Sequence, residues 1–115
     1  MYLPELFRLQ PVELFGKEEI KKAFFRQLEH EFQKAGMNVT FEKCEYAELL
    51  QKIKQLLSEL PADSVQRLLY VADIPENLIR KKEQLSSEQE PGEYLADLII
   101  RRVLLKIYLR YGTKK

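Results

Sequence analysis

Between residues 20 and 35 the apolar positions recur every three or four residues: Ile20, Phe24, Phe25, Leu28, Phe32 and Ala35. On a helical projection they fall within a wedge of about 140°, the stripe of a helix that packs on one side. The pattern predicts a helix over 17–35, opened at Gly16, where Phe15 and Ile20 have the spacing of a hydrophobic staple, and closed by Gly36. A cleaner pattern follows. Tyr46, Leu49, Ile53, Leu56 and Leu60 alternate by three and four, Leu50 and Leu57 widen the seam, and Glu45, Glu48, Lys52, Lys54 and Glu59 fall outside it. This predicts a second helix, capped by Thr40, running to Leu60 and stopped by Pro61. The clean heptads are too few for an extended coiled coil, so a bundle helix is expected.

Beyond Pro61 the periods shorten. Asp63 and Gln66 are spaced as a capping pair for a short helix through Ala72, and Pro75 suits the first turn of another, PENLIRKKEQL, before a polar loop over 86–92. The last segment, EYLADLIIRRVLLKIYLRYG at 93–112, is apolar on two sides. Tyr94, Leu98, Leu105, Tyr108 and Leu109 make one face, and Ile100, Val103, Leu104 and Ile107 make another nearly opposite. Two apolar faces need two surfaces to pack against. One is the chain's own core; for the other the expectation is a homodimer, with Ile100, Val103, Leu104, Ile107 and Tyr111 as the candidate interface.

No segment alternates as a strand would and no repeat of fixed period occurs. The fold class expected is all-α: a compact four- to five-helix bundle with a central C-terminal helix, apolar nearly all round. It forms a single domain over 1–115, with an N-terminal arm at 1–15 that holds one short turn near 4–8. Composition agrees: 45% of residues are hydrophobic and 32% charged, the profile of a soluble globular protein. The apolar runs 98–100 and 103–105 stop at Arg or Lys, far short of the roughly 18 residues a membrane span needs. The start, MYLPELFRLQ, lacks the basic and apolar regions of a signal peptide, and Cys44 is the only cysteine, so a cytoplasmic protein without an internal disulfide is expected.

The 19 basic and 18 acidic residues nearly cancel, to +1, but unevenly. Residues 93–115 hold six Lys or Arg against Glu93 and Asp97, a local +4 that leaves −3 on the rest. A basic C-terminal helix can meet a polyanion or the chain's own carboxylates, and the second is the stronger expectation.

Catalytic, metal and cofactor sites are not apparent. His30 projects opposite the apolar wedge of its helix, and one His with one Cys cannot make the common zinc ligand sets. A nucleophilic Cys44 would need His30 as its base, from a different helix. Glu42, Glu45 and Glu48 read as a solvated acidic face, and the four glycines are scattered at helix ends, with no phosphate cradle. Most aromatic residues are expected in the core, with Phe25, at the edge of its wedge, the one suspected of reaching a partner.

The alternative lies in QRLLYVADIPENLIRKK, residues 66–82, which loosely resembles a helix-turn-helix unit that would present Asn77, Arg80 and Lys81 to a DNA groove. Leu69 stands where such helices want a small residue at their crossing, and Asp73 where the turn wants glycine. The reading is therefore a non-catalytic protein-protein interaction or regulatory module, its partner another protein or a second copy. Nucleic acid is disfavoured, and no membrane, cofactor or identifiable small molecule is involved.

Overall fold

A computed structural model describes residues 18–80 and 91–112, with the side chains of Pro91, Tyr111 and Gly112 left aside. The fold is all-α. The described helices are α1 (Glu18–Lys34), α2 (Tyr46–Glu59), α3 (Ala62–Val71), α4 (Glu76–Arg80) and α5 (Pro91–Gly112). The expected arm at 1–15, the boundary at Gly16, the Phe15 half of the staple to Ile20, residues 81–85 of the expected PENLIRKKEQL helix and residues 86–90 of the expected 86–92 loop lie outside the described residues.

Helix α1 buries Phe24, Phe25, Leu28, Phe32 and, just past its end, Ala35. Phe25 does not reach outward: its ring meets that of Phe24 edge-on at 5.3 Å, so the suspicion that it contacts a partner is corrected. The helix ends in a Schellman turn. Gly36 takes φ +90°, its N–H donates to the Gln33 carbonyl at 3.0 Å, and the Met37 N–H reaches back to Phe32 at 2.9 Å.

Helix α2 begins at Tyr46, not after Thr40. Tertiary contacts hold the intervening chain out of the helix: the Phe41 N–H donates to the Glu29 carboxylate at 2.8 Å, and the Phe41 ring packs edge-on against Phe32. Helix α3 also departs from its expected start. The Pro61 carbonyl accepts from both Ser64 and Val65, so the helix opens at Ala62, and Asp63 sits inside the first turn instead of capping it. There its charge still favours the positive end of the helix dipole.

Helix α5 opens two residues earlier than expected, because proline at the first helical position has no N–H to leave unsatisfied. It packs mainly along α2 and α1. From Tyr94 to Leu105, and again at Ile107, every apolar side chain is buried. Ile100, Val103, Leu104 and Ile107 expose no surface at all. Their own chain covers the face on which a second copy was expected, so these four side chains offer a partner no surface and do not form that interface. Tyr111 is helical, but its side chain lies outside the description.

The cations of α5 are accommodated along its edges. Arg101 pairs with Asp97 one turn back at 2.8 Å, and Asp97 also accepts the Tyr46 hydroxyl of α2. Arg102 reaches Asp73, and Lys106 reaches Glu31 of α1 at 2.5 Å. The basic helix thus meets carboxylates of its own chain, with the arginine and lysine stems laid over the core.

Candidate interaction surface

The corner between α3 and α4 is built by local chemistry. Leu68, Leu69 and Ala72 share one face of α3 and go into the core. The helix then ends in a second Schellman turn: the Asp73 N–H donates to Tyr70 and the Ile74 N–H to Leu69, each at 3.0 Å. This geometry puts Asp73 at φ +65°, the left-handed position where the sequence reading wanted glycine. Arg102 holds it there. Its Nη2 donates to the Asp73 carboxylate at 2.9 Å and its Nε to the Asp73 carbonyl at 3.2 Å. Helix α4 follows directly, with the Pro75 carbonyl accepting from Leu78 and Ile79. The buried Tyr94 hydroxyl donates to the Leu78 carbonyl at 2.9 Å, which ties α4 to α5.

The two short helices leave a cleft of about 400 Å³ between them, lined by Gln66, Leu69, Tyr70, Ile74, Glu76 and Ile79. Leu69 and Ile74 form a largely buried floor and Ile79 a half-buried wall. Tyr70 stands at the rim with 85% of its surface in solvent, the most exposed large apolar side chain among the described residues. Glu76 is the one charged residue lining the cleft among the described residues. Its carboxylate lies 3.8 Å from Arg80, with both side chains well exposed.

Of the residues considered for nucleic acid, Asn77 and Arg80 are exposed on α4, while Lys81 lies outside the described residues. Arg80 faces Glu76, and the same corner carries the exposed carboxylates of Asp73 and Glu76. His30 is exposed on α1, whereas Cys44 is buried before α2 and burial pushes its thiol pKa up, away from a reactive thiolate. Glu42, Glu45 and Glu48 are all exposed. No grouping of three or more potential metal ligands occurs among the described residues.

Two residues were not singled out in the sequence. Tyr70 falls well off the stripe formed by Leu68, Leu69 and Ala72, and that projection would have marked it as outward-facing. Glu31 is completely buried in α1. One of its oxygens accepts from Lys106 and from the Gln27 amide, and the other, Oε2, has no hydrogen-bond partner. Glu31 lies one heptad after Phe24 and three residues after Leu28, so its place in the apolar stripe was legible. The chain matches no protein-family model, no curated protein and no solved structure.

Proposed function

We propose that this chain is a cytoplasmic protein-interaction module without catalysis of its own, and that it grips its partner through the cleft at the α3–α4 corner. The observation that carries this reading is Tyr70: a large amphipathic ring held in water beside an apolar floor of Leu69 and Ile74. Tyrosines in such positions are enriched among residues that dominate binding energy, because a partner gains much apolar area at little cost in side-chain entropy. The scaffold beneath is tied to the rest of the fold. The Schellman turn, the Arg102–Asp73 link and the Tyr94–Leu78 hydrogen bond fix both walls of the cleft to the core.

A photo-crosslinking residue placed at position 70 tests the reading, with position 30 on exposed α1 as the control. A discrete protein adduct from position 70 that is missing from position 30 is expected. Equal labelling from both positions, or none from position 70, overturns it.

A further inference from the structure

The α3–α4 cleft has a counterpart elsewhere on the same chain. Besides Tyr70, the large apolar side chains standing exposed among the described residues are Tyr108, 50% exposed, and Leu109, 46% exposed, in the last turns of α5. They are followed by Arg110, whose own-chain hydrogen bond to Gln27 is long, at 3.5 Å. The end of α5 therefore offers an apolar pair beside a cation. The cleft offers an apolar floor, an aromatic rim and Glu76, whose own-chain ion pair with Arg80 is likewise long, at 3.8 Å, and exposed. The two surfaces are complementary in both hydrophobicity and charge.

They do not meet within one chain. Arg102 is anchored at Asp73, and the Tyr94 hydroxyl binds the Leu78 carbonyl, so α4 lies beside the N-terminal half of α5. Arg110 is eight residues past Arg102, about 12 Å along the helix in the other direction, beside Gln27 of α1. The cleft thus stands at the Arg102–Asp73 link and the knob about 12 Å from it along α5. A two-fold axis through a second copy would seat each knob in the other's cleft, so that both contacts form at once.

We infer that the partner at the α3–α4 cleft is a second copy of this chain, which inserts Tyr108 and Leu109 beside Tyr70 and pairs its Arg110 with Glu76. This rests on the interaction reading above and names its occupant. It also moves the dimer contact from the buried Ile100 face to the two exposed ends.

The test is a charge exchange followed by light scattering across a dilution series, with circular dichroism confirming that each variant keeps its helices. The wild type is expected to dimerise. Arg110→Glu and Glu76→Arg, each alone, set like charges against each other at both contacts and should raise the dissociation constant at least tenfold. An equimolar mixture of the two variants restores opposite charges at both contacts and should return to the wild-type dimer. A wild type that stays monomeric up to millimolar concentration overturns the proposal, as does a dimer indifferent to both substitutions or a mixture that fails to recover. A monomer that still forms an adduct from position 70 with another protein would overturn the second-copy assignment and leave the interaction reading standing.

Discussion

Arg102 holds Asp73 by two groups at once, its carboxylate at 2.9 Å and its carbonyl at 3.2 Å, while Asp73 occupies the left-handed position of a helix-ending turn. The contact offsets a backbone conformation that L residues other than Asn and Asp rarely adopt. It also joins the α3–α4 corner to the central helix.

Asp73→Ala keeps the left-handed backbone and loses the carboxylate, whereas Asp73→Gly loses the carboxylate but relieves the backbone. Glycine should therefore be the more stable of the two by about 1 kcal/mol. Urea unfolding of both variants decides it, and equal stabilities would show that the backbone at residue 73 carries no strain.

Glu31 and Lys106 pose a different problem, because Glu31 is fully buried and only one of its oxygens is partnered. Lys106→Met should cost about 3 kcal/mol by leaving a buried carboxylate without its cation. Adding Glu31→Leu to that variant removes the stranded charge and should recover most of the loss. A double variant no more stable than Lys106→Met in denaturant titration would contradict this account.

Ile100 is fully enclosed by its own chain. Ile100→Glu places a carboxylate in an apolar core and should unfold the protein, with loss of the helical circular dichroism signal. A folded monomer from this substitution would mean that the side chain had faced a second chain after all.

Burial, first, and the hydrogen bond to Asp97 both hold the Tyr46 phenol well above its ordinary pKa of 10.0. The folded chain keeps its proton where the unfolded chain has lost it, so stability is complete below pH 10 and falls as pH rises beyond it. Tyr46→Phe should cost about 1 kcal/mol at neutral pH, through the lost hydrogen bond, and should flatten the alkaline decline. Thermal melts from pH 8 to pH 11 measure both effects. Tyr94, whose pKa burial also raises, sustains the part of the slope that remains.

Periodicity alone carried the helical class, the apolar stripes of α1 and α2, the outward placement of His30 and the doubly apolar character of α5. These follow from spacing along one chain at 3.6 residues per turn, which needs no knowledge of neighbours. Element starts were less legible. Thr40 and Asp63 are good caps by residue type, but the Phe41 contacts with Glu29 and Phe32 and the reach of the Pro61 carbonyl prevailed over them.

The second face of α5 was beyond reach for a sharper reason: apolarity shows that a surface must be covered and says nothing about which chain covers it. Only the packing of the chain around α5 answered that, burying Ile100, Val103, Leu104 and Ile107 within one chain. The same packing brought Glu31 to Lys106 and Asp73 to Arg102, residues 75 and 29 apart in sequence. It left Tyr70, Tyr108 and Leu109 in solvent.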